Sequence, residues 1–146
     1  MLITAIKQTS PGRLTVTLED EREIKTTLGV VTDLRLFSGR ELDEGGLEEL
    51  ERESRRALTR EKALEYLSRR AMSRKELEKK LTDKGCDEED AAYCAAWLSE
   101  RGLIDDASYA AAVARHYSAK GYGPGRIRSE LSRRGIDRDM WDEVLD

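Results

Sequence analysis

The sequence lacks most of the residues on which active-site chemistry commonly depends. Its 146 residues include one histidine and two cysteines, with no Gly-x-Gly-x-x-Gly, Walker or Gly-x-Ser-x-Gly motif. Cys86 and Cys94 lie near the single His116, and this set is neither a disulfide framework nor a group of zinc ligands. We therefore expect no catalytic residues, no cofactor and no metal.

Long hydrophobic runs and an excess of positive charge are also absent. The longest apolar run, residues 91–98, has eight residues and is too short to span a bilayer. No signal peptide is recognisable at the N-terminus, which predicts a cytoplasmic protein without membrane contact. Thirty acidic against 26 basic residues give a net charge of −4, which argues against a binder of polyanions that is basic throughout.

The N-terminal part has the pattern of β-strands. Leu14, Val16 and Leu18 alternate with polar residues, and residues 2–8 and 23–27 are further β-prone runs. A Ser-Pro-Gly turn separates the first two runs. These features predict a small antiparallel sheet.

The segment after these strands is expected to be helical. Val30, Leu34 and Phe37 have helical spacing, which predicts a short helix over one face of the sheet. Residues 41–53 hold seven acidic residues and one basic residue. We interpret this acidic connector as a solvated helix face and place a domain boundary near residues 45–58.

The remaining sequence repeats with a period of 50 residues. The equivalent pairs are Ala63 and Val113, Leu64 and Ala114, Leu67 and Tyr117, Leu77 and Ile127, Leu81 and Leu131, Gly85 and Gly135, Asp87 and Asp137, Ala91 and Trp141, Cys94 and Val144, and Ala95 and Leu145. Apolar residues match in phase as well as in kind, which predicts two copies of a three-helix unit.

Capping residues mark the ends of the predicted helices. Ser73 and Glu76 have the spacing of a capping box, and Asp87 and Asp137 are suitable N-caps. Gly85, Gly102 and Gly135 lie where a left-handed residue would end a helix. The expected helices span about 59–70, 73–84, 87–100, 106–119, 124–134 and 137 to the end. The predicted fold is therefore mainly α, with a β-rich N-terminal segment followed by tandem helix-turn-helix-like repeats in an elongated array.

Charge alternates along the helical part. Residues 61–86 and 110–135 have net charges of +3 and +5, and residues 87–109 and 136–146 have −6 and −4. The bases predicted to lie on the outer face and to bind a partner are Arg69, Arg70, Arg74, Lys75, Lys79, Lys80, Lys84, Arg126, Arg128, Arg133 and Arg134. Such a surface suits a phosphate backbone or an acidic protein groove, although a merely solvated face is the alternative.

Few other residues suggest chemistry. Asp105 and Asp106 are an enzyme-like pair, but an N-cap and a first-turn acid are the favoured interpretation. His116 is expected to pack or to lie on the surface. Cys94 and the aromatic residues Tyr93, Trp97, Tyr109 and Trp141 have the spacing of core residues. Tyr122, between two glycines, is harder to bury and is a candidate contact residue.

Three motifs together resemble the RecX family. They are Ala63-Leu64-x-Tyr66-Leu67-x-Arg69-Arg70 with Ser73-x-x-Glu76-Leu77-x-x-x-Leu81-x-x-Lys84-Gly85, then Leu98-x-x-x-Gly102-Leu103-Ile104-Asp105-Asp106-x-x-Tyr109-Ala110, then Gly123-x-x-Arg126-Ile127-x-x-Glu130-Leu131-x-x-Arg134-Gly135-Ile136. The resemblance covers residues 57–146.

The resemblance implies a regulator of the RecA recombinase. Family members bind along the groove of the RecA–single-stranded DNA filament and restrain its activity in recombination and repair. The implied partners are RecA and this filament, with weak direct DNA binding, and we expect a monomer without enzymatic activity. The basic face would carry the contact.

One departure concerns the number of repeats. The family commonly has three units, whereas here the third helix of the second unit would start at Asp137, close to the last residue. The predicted domains are residues 1–45, residues 46–104 with the connector and first repeat, and residues 105–146 with a second repeat that is short at its third helix. A naturally short member and a truncated chain both remain open.

Three other functions are alternatives at this point. A direct DNA-binding regulator would bind duplex DNA in a salt-dependent way without RecA. An enzyme using Asp105 and Asp106 with a metal would lose activity, but not its fold, when both become asparagine. A plain helical scaffold for another protein is the third.

Overall fold

The structure, a computed structural model, describes residues 1–145. The strands are β1 (Ile3–Ser10), β2 (Arg13–Leu18) and β3 (Glu23–Thr27). They form an antiparallel sheet in the order β1-β2-β3, as predicted. In the central strand Val16 and Leu18 are buried, which agrees with the alternating pattern.

A short helix, α1 (Leu28–Asp33), follows the sheet and buries Val30. The prediction that Phe37 continues the buried face of this helix was wrong, since Phe37 is 58% exposed. The helix has ended by then, and Arg35 takes a positive φ of 55°. This change of backbone direction breaks the helical phase, and Leu36 is buried instead.

The core of this part combines the sheet with the residues that follow it. Its buried members are Ile3, Val16, Leu18, Val30, Leu36, Leu42, Leu50 and Ala57. A buried polar pair lies in the same part of the chain, where Ser54 Oγ donates to Thr26 Oγ1 at 2.8 Å. The bond satisfies two hydroxyl groups that would otherwise be costly to bury.

The acidic connector is part of a long helix, α2 (Glu44–Arg69). The sequence indicated a helix face in the connector but gave a helix range only from about residue 59, whereas the structure has one continuous helix from Glu44. Gly45 and Gly46 are tolerated because they lie in its first turn, where Asp43 Oδ1 accepts from the Gly46 amide at 2.6 Å. The interpretation of the connector as a helix face is confirmed.

The chain divides into two compact units, Met1–Glu61 and a second unit that begins at Lys62. The boundary lies within α2, because that helix continues to Arg69. The finer division into residues 1–45, 46–104 and 105–146 remains a prediction.

The later helices lie within one residue of the predicted ranges. They are α3 (Arg74–Asp83), α4 (Glu88–Glu100), α5 (Asp106–Ala119) and α6 (Pro124–Arg133). The last expected helix is instead a 3-10 turn, Arg138–Met140, followed by α7 (Trp141–Leu145). We call the end of α2 with α3 and α4 the first repeat, and the elements from α5 to α7 the second repeat.

Each repeat has its own hydrophobic core. The first contains Ala63, Met72, Leu77, Leu81, Ala91, Ala95, Leu98 and Ile104, and the second contains Ala110, Val113, Ala114, Ile127, Leu131 and Ile136. The pairs Leu77/Ile127 and Leu81/Leu131 are buried as the 50-residue period predicts. Leu64 is an exception, since it is 43% exposed.

The remaining candidates for packing behave mostly as predicted. Cys94 is fully buried, and Trp97 and Trp141 pack against the cores of their own repeats. Tyr93 differs, since 40% of it is exposed although its spacing suggested the core. Within residues 1–145, none of the helices combines the length and apolar character needed to cross a bilayer.

Candidate anion-binding cleft at the junction of the two repeats

Helix α3 carries most of the predicted binding residues of the first repeat. It begins with a complete capping box, in which Ser73 Oγ accepts from the Glu76 amide and the Glu76 carboxylate accepts from the Ser73 amide, both at 3.1 Å. Leu77 and Leu81 are fully buried. Lys79 and Lys84 are exposed and Lys80 is half-buried, so all three lysines can be reached from solvent beside this buried face.

A cleft of about 470 Å³ gathers bases from both repeats. Its lining residues are Arg70, Met72, Glu76, Lys79, Lys80, Asp83, Lys84 and Arg133. Five of the predicted binding residues are among them. Met72 is the one uncharged side chain in this lining.

Part of the charge in the cleft is neutralised locally. Lys79 Nζ lies 2.9 Å from Asp83 Oδ2, and Arg70 Nη2 lies 3.4 Å from Glu76 Oε2. Lys80 lies over the ring of Tyr66, with Nζ 4.9 Å from the ring centre. The cleft therefore keeps an excess of positive charge.

Several predicted binding residues of the first repeat lie outside the cleft in ion pairs. Arg69 pairs with Glu65 at 2.7 Å and Arg74 with Glu78 at 3.4 Å, each between side chains one helical turn apart. Exposed pairs of this kind contribute little to stability.

Two predicted residues of α6 also lie apart from the cleft. The Arg126 guanidinium lies 4.8 Å from the ring centre of Tyr122. Arg128 lines a separate pocket with Trp141 and Asp142. The structure thus does not bring all predicted bases into one surface.

Arg134 has a structural environment that the sequence did not reveal. Its guanidinium donates to Glu130 and to the Tyr109 hydroxyl, both at 2.8 Å, and to the Tyr117 hydroxyl at 3.4 Å. Burial alone lowers the pKa of Arg134, but these hydrogen bonds outweigh it and raise that pKa. An arginine held in this way is poorly placed to bind a partner.

Glu130 connects Arg134 to the cleft. Its carboxylate also accepts from Arg133, and hydrogen bonds from Arg133 and Arg134 lower the pKa of Glu130 to about 2. One carboxylate faces two guanidinium groups, so this triad carries a net positive charge. Arg133, the exposed member, brings that charge to the cleft.

Polar contacts join the two repeats beside the cleft. Ser73 Oγ donates to the Arg134 carbonyl, and the Arg74 amide donates to Asp106 Oδ1 at 2.9 Å. Lys75 Nζ donates to Asp137 Oδ1 at 3.0 Å. We call these three contacts the junction.

The junction also brings two backbones close together. Gly135 ends α6 with a φ of 77°, and a Cβ added there would lie 2.7 Å from Lys75 Cβ. Its equivalent, Gly85, has a φ of 93° and no heavy atom within 4 Å of the same added Cβ. The sequence indicated the helix end at both glycines, but not the close approach at Gly135.

The two adjacent aspartates act as helix caps. Asp105 accepts from the Ser108 amide at 3.1 Å and from its hydroxyl at 2.9 Å, which confirms the N-cap interpretation. Asp106 begins α5 and serves the junction through Arg74. Among residues 1–145, no three His, Cys, Asp or Glu side chains are grouped so as to hold a metal ion.

The aromatic candidate Tyr122 is 37% exposed and stacks on Tyr117 with ring centres 5.4 Å apart. His116 is exposed and packs edge-on against Tyr117. Both positions agree with the sequence-based expectations.

Comparisons with known proteins identify the family. The model of "RecX, first three-helix domain" matches residues 60–98, and that of "RecX, second three-helix domain" matches residues 105–145. The chain belongs to the RecX family. Its tandem three-helix repeats are the domains of that family.

Individual RecX proteins support this assignment. The chain is 41% identical over 86 residues to "Regulatory protein RecX" of Pseudomonas entomophila strain L48, an alignment covering 59% of this chain and 56% of that protein. It is also 41% identical over 86 residues to "Regulatory protein RecX" of Stenotrophomonas maltophilia strain R551-3, covering 59% and 53%. The chain thus spans about half the length of the curated relatives it matches.

Solved RecX structures have the same fold. A crystal structure of regulatory protein RecX superposes with a TM-score of 0.82 at 29% identity, covering 99% of this chain and 72% of that one. RecX from Lactobacillus salivarius gives a TM-score of 0.59 at 30% identity, covering 62% and 60%.

Proposed function

We propose that this RecX-family chain regulates homologous recombination by binding RecA, or RecA filaments on single-stranded DNA, and restraining their activity. The proposal includes action in the cytoplasm, without enzymatic chemistry of its own. Membership of a family of regulatory proteins supports a regulatory role. The resemblance in the motifs supplies RecA as the target.

The main support for a contact surface is the cleft, which is lined by basic residues of both repeats. A filament of protein on single-stranded DNA presents phosphates and acidic side chains, both of which a positive surface attracts. We place the contact on Arg70, Lys79, Lys80, Lys84 and Arg133. Arg134 is assigned to the fold, because its guanidinium is held by Glu130 and two tyrosines.

The first experiment is a titration of the single-stranded-DNA-dependent ATPase of RecA with this protein, from well below one copy per RecA protomer. Inhibition at substoichiometric ratios is expected, because one molecule that blocks a filament affects many protomers. An unchanged ATPase at saturating protein, with the protein shown to be folded, would contradict the proposal.

A pair of variants tests the surface itself. The cleft variant replaces Lys80, Lys84 and Arg133 by glutamine, and the control variant replaces Lys7, Lys25 and Arg35 by glutamine. Both lose two lysines and one arginine, and the control residues lie exposed in the other unit. The cleft variant should need about tenfold more protein for half-inhibition, as the loss of charge-assisted contacts implies.

Equal inhibition by both variants would contradict the assignment of the RecA contact to the cleft. Binding of duplex DNA without RecA, lost with rising salt, would favour the direct DNA-binding alternative.

A further inference from the structure

We infer that the cleft is a site for a ligand with at least two adjacent phosphate groups, assembled jointly by the two repeats and kept in shape by the junction. The inference rests on the proposed function and specifies which chemical group the same surface binds. The shared chemistry is a run of phosphates, and two sources offer it: the backbone of a nucleic-acid strand and the polyphosphate of a nucleotide.

The charges in the cleft favour an anion. Glu76 and Asp83 are the acidic lining residues, and each already pairs with a base of the cleft. Lys84 has no carboxylate partner among residues 1–145, and Lys80 faces an aromatic ring instead of an acid. Lys80, Lys84 and the Arg133 triad therefore supply positive charge that a ligand can neutralise.

The composition of the lining favours phosphate over a protein surface. Seven of its eight residues are charged, and Met72 is buried with 4% exposure. Protein–protein contacts usually have an apolar centre in which lysine is scarce. Lysine is a common phosphate ligand, and three lysines line this cleft, Lys79 and Lys80 on α3 and Lys84 directly after it.

The size of the cleft suits more than one phosphate. Its volume of about 470 Å³ falls within the range of small-molecule sites. No aromatic side chain is among the lining residues, and the nearby Tyr66 ring faces Lys80, so among residues 1–145 the cleft offers bases no free ring for stacking. Binding is therefore expected to depend on phosphates and not on base identity.

The site needs both repeats. Arg133 is the last residue of α6, in the second repeat, whereas the other bases belong to the first repeat. Arg70 directly follows α2, Lys79 and Lys80 lie on α3, and Lys84 directly follows α3. Next to Arg133, the Arg134 carbonyl accepts from Ser73, and Gly135 lies against Lys75. The junction thus fixes the position of Arg133 relative to the lysines before any ligand arrives.

Calorimetric titrations with inorganic triphosphate and with a ten-residue oligothymidylate test the site. We expect the full chain to bind at least one of them and the cleft variant to bind it about tenfold or more weakly, while the control variant keeps most of the affinity. For the oligothymidylate, the dependence of log affinity on log salt should lose about 2 units of slope in the cleft variant. Equal loss in both variants, or binding of neither probe, would overturn the site.

The two probes distinguish the sources. Binding of the oligothymidylate alone assigns the cleft to a nucleic-acid backbone, and binding of triphosphate alone assigns it to a nucleotide. Either result supports the site.

A second pair of variants tests the junction without changing charge. Gly135→Ala and Gly85→Ala place the same side chain at equivalent helix ends, each with a positive φ, but only at Gly135 does the new Cβ meet Lys75. Gly135→Ala should weaken probe binding several-fold relative to Gly85→Ala, with both variants shown to be folded by circular dichroism. Equal affinities would overturn the role of the junction.

The RecA ATPase separates this inference from the proposed function. Loss of probe binding by the cleft variant with full inhibition of RecA would support the phosphate site and contradict its use on RecA. Inhibition by the intact chain without binding of either probe would overturn the phosphate site alone.

Discussion

The two repeats bury equivalent positions of their second helices, Leu77/Ile127 and Leu81/Leu131, but differ in their third helices. In the first repeat, α4 has 13 residues, and the small side chains Ala91, Cys94 and Ala95 are fully buried. In the second, a three-residue 3-10 turn and five residues of α7 bury no residue completely. The equivalents there are larger, and Trp141 and Val144 pack partly buried on the core. The described part of the third helix thus packs on the core of the second repeat with larger side chains than α4 uses in the first.

Equivalent positions also serve different electrostatic purposes. Lys80 faces the cleft, whereas its counterpart 50 residues later, Glu130, binds Arg133 and Arg134. The core positions of the second helices are apolar in both repeats, because each packs on the core of its own repeat. The outer positions are free to diverge, and the second repeat uses them for an internal network.

The largest expected effects are in the two cores. Leu81→Ala and Leu131→Ala each remove a fully buried side chain and should lower the free energy of unfolding by about 2–5 kcal/mol. We expect Leu81→Ala to lower the free energy of unfolding more than Leu131→Ala does. The core of the first repeat contains more fully buried residues than that of the second, so it can relax less around the cavity. Urea unfolding measures both. Leu103→Ala, at a residue 53% exposed, should change stability by less than about 0.5 kcal/mol, and similar losses in all three variants would refute the assigned cores.

The network of the second repeat gives the next effect. Glu130→Gln keeps the shape but removes the charge facing two arginines, which should cost about 1.5–3 kcal/mol at neutral pH. Since the folded-state pKa of Glu130 is lowered from 4.5 to about 2, its stabilisation is present above pH 4.5 and is lost as the pH falls toward 2.

Unfolding curves of the two proteins between pH 7 and pH 2 should therefore converge in acid. Glu65→Gln, which breaks an exposed pair with Arg69, is the matched control and should cost less than about 0.5 kcal/mol. A gap between wild type and Glu130→Gln that stays constant down to pH 2 would refute the network.

Helix capping gives a smaller difference. Ser73→Ala removes a capping hydroxyl and a junction contact, whereas Asp87→Ala removes only a cap, to the Glu89 amide at 2.8 Å. Each cap is worth about 0.5–2 kcal/mol, so Ser73→Ala should be the more destabilising. Thermal unfolding compares the two, and an equal or larger loss for Asp87→Ala would argue against the contribution of the junction.

The smallest expected effect comes from a substitution that gives α6 a side-chain N-cap like that of α3. Gly123 is the N-cap of α6 without a side-chain hydrogen bond, and its extended φ of −80° suits any residue. A Cβ there would meet no heavy atom within 4 Å. Gly123→Ser should therefore stabilise the protein by a few tenths of a kcal/mol, seen as a small rise in melting temperature. A fall would show that the turn before α6 needs glycine.

Local signals predicted local structure well. The capping box at Ser73 and the glycine at position 85 marked helix ends because each signal acts within one turn. The same reasoning placed the start of α2 too late, since paired glycines look like a break unless they fall in a first turn. It also put Phe37 on a helix that had already ended.

The site was predictable only in part. Periodicity indicated which bases lie on outer faces, and five of them line the cleft. It did not indicate that Arg134 turns inward to Glu130, or that Asp106 reaches the Arg74 amide 32 residues away. The Arg74–Asp106 contact depends on how the two repeats pack, which no short-range pattern encodes. Glu130 and Arg134 do have the i,i+4 spacing of a helical ion pair, but the tyrosines that also hold Arg134 come from α5.

The junction has a donor side and an acceptor side. In its three contacts the first repeat supplies every donor: the Ser73 hydroxyl, the Arg74 amide and the Lys75 ammonium group. The residues 50 positions later are Gly123, Pro124 and Gly125, which have no hydroxyl, no amide hydrogen and no ammonium group, respectively. The second repeat therefore cannot take the donor side of such a seam, so the contacts between the repeats are directional: the first repeat donates and the second accepts.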